Sequence, residues 1–121
     1  MMLHVLPHRF TVCRLASAQR MPLDADFCFL GKTDEELSLV CPTELVPAET
    51  LAREDGWRGF RIVGVLDFSL VGILSAITQV LAEAEIGIFA VSTFNTDYVL
   101  VKEENLSRAL DVLAGAGYDV C

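Results

Sequence analysis

The sequence predicts a mixed α+β fold in which antiparallel strands form a sheet with helices on one face. In the second half of the chain, short apolar runs alternate with two amphipathic stripes in the order β-α-β-β-α-β. The chain also repeats itself, because residues 36–41 align with residues 97–102 at a shift of 61 residues. Hydrophobic residues make up 53% of the 121 positions, so much apolar surface must be buried in a core or an interface.

The first half contains the less regular pattern. Runs rich in β-branched and aromatic residues predict three strands, over residues 10–15, 27–30 and 36–41. The segment between the first two strands contains Pro22 and forms at most one turn of helix. Residues 48–53 have a weak helical pattern, and residues 3–6 form a further short apolar run.

The second half predicts each element more clearly. Residues 60–66 form a nearly continuous apolar strand, as expected for a strand inside a sheet. Apolar side chains then recur at the spacing of an amphipathic helix, at Leu70, Ile73, Leu74, Ile77, Val80, Leu81 and Ala84. The remaining predicted elements are strands at 88–93 and 98–102, a helix that follows Asn105, and a last strand at 118–120. This order is the ferredoxin-like, or split β-α-β, arrangement.

The repeat predicts two ferredoxin-like modules. Residues 1–56 form the first repeat, in which the long first helix is shortened, and residues 57–121 form a complete second repeat. A repeat of about 60 residues buries little core by itself, so we expect the two to pack as one unit.

Charge and hydropathy exclude several classes of partner. The net charge is −8, with 17 acidic residues against 9 basic ones, whereas binding to nucleic acid needs clustered Lys and Arg. No apolar run reaches the roughly 18 residues of a membrane span. The N-terminus lacks the pattern of a secretory signal, so we expect a cytoplasmic protein without a membrane or nucleic-acid partner.

The chemically reactive side chains do not form a recognisable catalytic or metal-binding pattern. The four cysteines are widely spaced and are not set beside either histidine, so we expect no metal, disulfide or other cofactor. Asp67 and Asp97 are the one acidic pair expected to lie close together, and no nucleophile accompanies them. We therefore expect no catalytic activity.

Two segments carry a resemblance to a known family. Residues 67–74 read Asp-Phe-Ser-Leu-Val-Gly-Ile-Leu, and residues 92–98 read Ser-Thr-Phe-Asn-Thr-Asp-Tyr. Together with the β-α-β-β-α-β order, they resemble the ACT domain. More narrowly, they resemble the tandem ACT region of aspartate kinases and the CASTOR-type arginine sensors with their small bacterial relatives. These 121 residues contain no counterpart of a kinase domain, so the resemblance does not imply kinase activity.

The resemblance implies a ligand site where the second repeat's first helix begins and at the turn between its middle strands. The predicted ligand-binding residues are Asp67, Ser69, Leu70, Val71, Gly72, Phe94, Asn95, Thr96 and Asp97. Free N–H groups at the start of the helix suit a carboxylate, and Asp67 or Asp97 suits a cationic group. Helix capping and turn chemistry alone would explain several of the same residues.

The resemblance also indicates the ligand and the assembly. A free amino acid is the expected ligand, with arginine first and lysine or threonine next, and Glu36 is the expected repeat partner of Asp97. High apolar content in a short chain favours a homodimer. The alternative hypothesis is an ACT-fold dimerisation scaffold that binds no small molecule.

Overall fold

The computed structural model describes residues 1–64 and 72–121. They divide into two compact units. The first-repeat unit is His8–Trp57, and the second-repeat unit combines Met1–Pro7 with Arg58–Cys121. The structure thus places residues 1–7, which the sequence assigned to the first repeat, in the unit of the second.

The elements follow the predicted order closely in the second half. The strands are β1 (Met2–Val5), β2 (Phe10–Arg14), β3 (Phe29–Lys32), β4 (Leu37–Pro42), β5 (Ala52–Ile62), β6 (Ile88–Ser92), β7 (Asp97–Lys102) and β8 (Asp119–Val120). The helices are α1 (Ile73–Glu83) and α2 (Leu106–Gly115). The predicted helix position Leu70 lies outside the described residues.

The first-repeat unit is a sheet in the order β3-β4-β2-β5, to which β5 contributes residues 52–57. Its pairings are antiparallel. Residues 15–28 carry no helix. Instead, loop side chains, among them Met21, Cys28 and Val46, pack on a small core formed by Cys13, Leu15, Leu39 and Cys41.

The second-repeat unit has the strand order β6-β7-β5-β1-β8, to which β5 contributes residues 58–62. β1 pairs antiparallel with β5 and parallel with β8. It therefore separates the first and last strands of the β-α-β-β-α-β unit. The sequence did not predict this insertion, because a four-residue apolar run carries no information about its partners.

One core joins the sheet of the second-repeat unit to both helices. Its buried members include Leu3, Phe60, Ile62, Ile77, Leu81, Val99, Val101, Ala109 and Leu113. These strand residues occupy alternate positions, so the helices cover one face of the sheet. The predicted α+β, ferredoxin-like fold is confirmed.

The two β-hairpins show that the internal repeat has a shift of 60 residues and not 61. In the first hairpin the Thr33 N–H donates to the Glu36 carbonyl at 2.9 Å, and in the second the Thr93 N–H donates to the Thr96 carbonyl at 2.9 Å. Glu36 therefore corresponds to Thr96, and the expected pairing of Glu36 with Asp97 is wrong. The error matters because a shift of one residue moves a strand's side chains to the opposite face of the sheet.

The weak helix predicted over residues 48–53 is also wrong. β5 begins at Ala52, and its charged residues are paired. The Arg53 guanidinium contacts the Asp55 carboxylate through Nη2 and Oδ1 at 3.0 Å, and Asp55 Oδ1 accepts a bond of 2.8 Å from the Thr11 hydroxyl. Pairing with β2 therefore determines this strand, although its own side chains resemble those of a loop.

Candidate functional site

The turn between β6 and β7 is held in place by threonine hydroxyls. The Thr93 hydroxyl donates to the Thr96 carbonyl at 2.9 Å and accepts from the Thr96 N–H at 3.4 Å. The Thr96 hydroxyl, which is nearly buried, donates to the Ile62 carbonyl at 2.7 Å. The turn is therefore fixed against the end of β5, and the Thr96 hydroxyl is already engaged.

A groove of about 400 Å³ lies beside this turn in the second-repeat unit. Polar side chains from four places in the chain line it, namely His4, Arg61, Asn95, Thr96 and Tyr98. Met2, Val63 and Cys121 add apolar and thiol surface.

Strand alternation places the groove on the sheet face that the helices do not cover. Leu3 pairs with Ile62 in the core, so their neighbours His4 and Arg61, which pair with each other, point to the opposite face. Tyr98 likewise precedes Val99, a core residue on the helix side. The imidazole, guanidinium and phenol groups thus come together from three different strands.

The described side chains that line the groove include several hydrogen-bond donors. Among its described lining residues, Arg61 carries a positive charge and no side chain is a carboxylate. Guanidinium, amide and hydroxyl groups are donors that suit a carboxylate or another anion. The groove therefore presents donor groups of the kind that bind a carboxylate.

The structure separates the predicted site residues. Asn95 and Thr96 line the groove, whereas Asp97 shares the side of β7 that carries Val99 and therefore faces the helices. Phe94 is 77% exposed at the tip of the turn. Asp67, Ser69, Leu70 and Val71 lie outside the described residues.

Gly72 immediately precedes α1 and has a φ of +82°. A Cβ built at this position would meet no atom within 4 Å. Close packing therefore does not explain the glycine. Its left-handed backbone does, because that conformation is unfavourable for residues with a side chain.

Sequence reasoning missed His4, Arg61 and Tyr98. They are separated by 37 or more residues along the chain and become neighbours only through strand pairing. The alternation of apolar and polar residues in β5 and β7 was the one available signal, and it places Arg61 and Tyr98 on the face opposite the core.

Other kinds of site are less well supported. No three His, Cys, Asp or Glu side chains within residues 1–64 and 72–121 come together to hold a metal ion. Neither of the described helices is long and apolar enough to cross a membrane.

The fold and the matched sequence define the class of this protein. A family model described as the ACT domain matches residues 52–115, which is more than half of the chain, so the chain belongs to the ACT domain family. A second family model, described as an N-terminal domain, matches residues 8–49. That range falls inside the first-repeat unit.

Two individual proteins are similar to most of this chain. A crystal structure of a protein from Agobacterium tumefaciens is 34% identical with a TM-score of 0.85, over 98% of this chain and 90% of that one. The human "Cytosolic arginine sensor for mTORC1 subunit 1" is 31% identical over 105 residues, which are 81% of this chain and 32% of the sensor. The chain thus spans about a third of the length of the curated relatives that it matches.

The aspartate kinase resemblance is confirmed at the level of fold. The regulatory subunit of aspartate kinase from Thermus thermophilus has a TM-score of 0.67 at 13% identity, over 97% of this chain and 98% of that one. At this identity the comparison supports a shared fold and no shared ligand.

Proposed function

We propose that this chain is a non-catalytic regulatory module that binds a free amino acid through its ACT repeats. The observation that supports this most directly is the groove beside the β6–β7 turn, where donors from three strands and the turn converge. Membership of the ACT family and the similarity to a protein named as an arginine sensor support the same proposal. The name of that relative also favours a cytosolic location for this chain.

The amino acid's carboxylate is placed against Arg61, Tyr98 and Asn95 in this proposal. All three carry N–H or O–H donors, and charge-assisted bonds to a guanidinium are the strong ones. The second predicted position comprises Asp67, Ser69, Leu70, Val71 and Gly72, of which Gly72 immediately precedes α1. It stays part of the proposal as the alternative location.

The proposal that the chain is not catalytic rests on the surroundings of the Cys121 thiol, which is the nucleophile that lines the groove. The Cys121 thiol donates to the Leu3 carbonyl at 3.6 Å, and among the described residues no hydrogen bond joins it to the His4 imidazole. Nucleophilic catalysis needs a base within hydrogen-bond reach of the thiol. The arrangement is therefore better suited to binding than to reaction.

A thermal-shift screen against the free amino acids tests the proposal. A ligand at about 100 times its dissociation constant adds roughly 2.7 kcal/mol to the free energy of unfolding. Asn95→Ala should reduce the shift if the ligand lies in the groove, and Asp97→Ala should reduce it if the ligand lies on the helix side. Lys102→Ala is the matched surface control. An unchanged shift in both variants would exclude both positions.

We also propose that the chain forms a homodimer through the rim of this groove. Met2 and Val63 are each 46% exposed, and Phe94 is 77% exposed. Exposed apolar side chains grouped at one end of a small unit are typical of association surfaces. Light scattering should give twice the chain mass for the parent and a lower mass for Phe94→Ser; a monomeric parent would contradict the dimer.

A further inference from the structure

Three of the four cysteines contribute to one small core in the first-repeat unit. Cys13 and Cys41 are buried members of that core, and Cys28, which is partly buried, packs against it. All three are free thiols. Their wide spacing along the chain predicts no disulfide, so strand pairing alone makes them neighbours.

The pairing of β3 with β4 places Cys28 opposite Cys41. Phe29 lies opposite Val40 in this antiparallel pair, so the same register brings the residue before Phe29 opposite the residue after Val40. Both thiols belong to the same core, and their side chains therefore lie on one face of the sheet. The ladder ends here because Pro42, the next residue of β4, has no N–H to donate.

The hydrogen-bond pattern makes these two cysteines a close pair. The Thr33 N–H donates to the Glu36 carbonyl at 2.9 Å, and hydrogen-bonded pairs alternate with non-hydrogen-bonded pairs from there along the ladder. Cys28 lies an odd number of positions from Thr33, so Cys28 and Cys41 occupy a non-hydrogen-bonded position, in which the Cα atoms are about 4.5 Å apart. A disulfide spans Cα separations of about 4.4–6.8 Å.

Cys13 lies too far from the other two thiols to compete. It pairs with Leu39 across β2 and β4, so Cys41 is its diagonal neighbour, at about 7–8 Å. The whole of β4 separates it from Cys28, which corresponds to two strand spacings or about 9–10 Å. Cysteines whose Cα atoms are more than about 7 Å apart cannot be bridged unless the backbone moves. The register therefore selects one pair.

We propose that Cys28 and Cys41 form a reversible disulfide in the presence of a hydroperoxide, and that this bond locks β3 onto β4. With hydrogen peroxide, the Cys28 thiolate attacks one oxygen, the O–O bond breaks, and the departing hydroxide takes up a proton; the products are water and a sulfenic acid on Cys28. The Cys41 thiol then loses its proton, and its sulfur displaces hydroxide from the Cys28 sulfur. That hydroxide leaves with the Cys41 proton as a second water. The two thiols lose two electrons in total, and the peroxide gains them.

The order of the two steps follows from exposure. Cys28 is partly exposed and Cys41 is fully buried, so the oxidant reaches Cys28 first. Burial raises the pKa of both thiols, and the thiolate is the reactive form, so both steps are slow at neutral pH. The bond therefore responds to sustained oxidation and not to a brief exposure.

The bond joins two segments that are otherwise connected by few backbone bonds. β3 lies at the end of the sheet order and has most of its residues exposed. Cys28 directly precedes β3 and ends the helix-free loop of residues 15–28. A disulfide at this position fastens the start of β3 and reduces the entropy of the unfolded chain. Oxidation is therefore expected to stabilise the first-repeat unit, and this effect is independent of the proposed ligand.

Peptide mapping of the full chain tests the pairing. After hours in hydrogen peroxide at pH 8 and blocking of the remaining thiols, the folded parent should contain the Cys28–Cys41 linkage, and dithiothreitol should remove it. Cys13→Ala, which removes a core thiol outside the pair, should give as much of this linkage as the parent. The parent unfolded in urea is the control: Cys13–Cys28 and Cys28–Cys41 close loops of similar length there, so the two linkages should form in similar amounts.

Urea unfolding of the same samples tests the lock. The oxidised parent should have a midpoint at least about 0.5 M higher than the reduced parent, whereas Cys28→Ala should show no rise after the same treatment. A folded parent that forms no Cys28–Cys41 linkage, or forms Cys13–Cys28 in equal amount, would overturn the pairing. A linked chain with the midpoint of the reduced chain would overturn the lock. Amino-acid binding is measured in dithiothreitol, so these results leave the proposed function to its own test.

Discussion

The hydroxyl of Thr96 and the carbonyl oxygen of Ile62 are joined by a hydrogen bond of 2.7 Å that connects the β6–β7 turn to the end of β5. Thr96 is only 7% exposed, so this bond is shielded from water. It fixes the position of Asn95 and therefore the shape of the groove in the second-repeat unit.

Thr96→Val should destabilise the chain because it keeps the shape of the side chain and removes the donor. The Ile62 carbonyl would lose its side-chain partner, at a cost of about 1–3 kcal/mol in the free energy of unfolding. Urea unfolding measures the loss. Thr78→Val is the control, since the Thr78 hydroxyl bonds only within its own helix, to the Ser75 carbonyl at 3.1 Å. Equal effects of the two substitutions would show that the Thr96 bond has no special role.

Gly59→Ala should destabilise the second-repeat unit. A Cβ at this position would overlap the Leu100 side chain and would lie 3.3 Å from the Val99 carbonyl oxygen. Leu100 is 1% exposed and would have to repack inside the core, so the overpacking should cost about 1–3 kcal/mol. Gly31→Ala meets no atom within 4 Å and should be close to neutral. A Gly59→Ala protein as stable as Gly31→Ala would contradict the packing described here.

Gly72→Ala should also destabilise, for a reason that involves no contact. The φ of +82° at this residue costs about 1–2 kcal/mol for an amino acid with a side chain. Gly115, the last residue of α2, provides the comparison. Alanine is the better helix former, so Gly115→Ala should increase the free energy of unfolding by up to about 1 kcal/mol. Thermal unfolding of both variants should therefore shift in opposite directions, and a shift in the same direction would contradict the assignment.

The core thiols should make stability decrease in alkaline solution. Burial raises the pKa of Cys41 from 9.0 to about 12, with smaller contributions from Cys13 and Cys28. The folded chain therefore retains this proton at a pH where the unfolded chain releases it, and the free energy of unfolding decreases as the pH rises from about 9 toward about 12. Urea midpoints at pH 8 and pH 10 measure the decrease.

Cys41→Ala provides the comparison for that measurement. The variant should be less stable at pH 8 because it leaves a cavity in the core, yet its midpoint should fall less between the two pH values. If parent and variant show the same fall, the Cys41 thiol is not the group responsible.

The sequence correctly predicted those helices and strands whose conformation follows from the pattern of their own side chains. α1 carries enough apolar residues at helical spacing to bury Ile77 and Leu81, and the β6–β7 hairpin shows its strands by alternation. Residues 52–57 and β1 could not be predicted in the same way. Their strand conformation depends on partners that are distant in the sequence, namely β2 for the former and β5 and β8 for the latter.

The residues of the candidate site fall into the same two groups, those that the local sequence predicts and those that only strand pairing brings together. Asn95 and Thr96 were predicted because a local motif marks the turn. His4 and Arg61 were not, because only the register of β1 against β5 makes them neighbours. An error of one residue in the repeat also hid the relation between Glu36 and Thr96, which the bonds within the two turns reveal.

Isothermal titration of the full chain with the free amino acids tests directly whether the chain binds an amino acid. We expect saturable binding of at least one amino acid, weakened by a substitution at Asn95 or at Asp97, with Lys102→Ala equal to the parent. The absence of any heat of binding at millimolar concentration, from a chain shown to be folded by its cooperative unfolding, would contradict it.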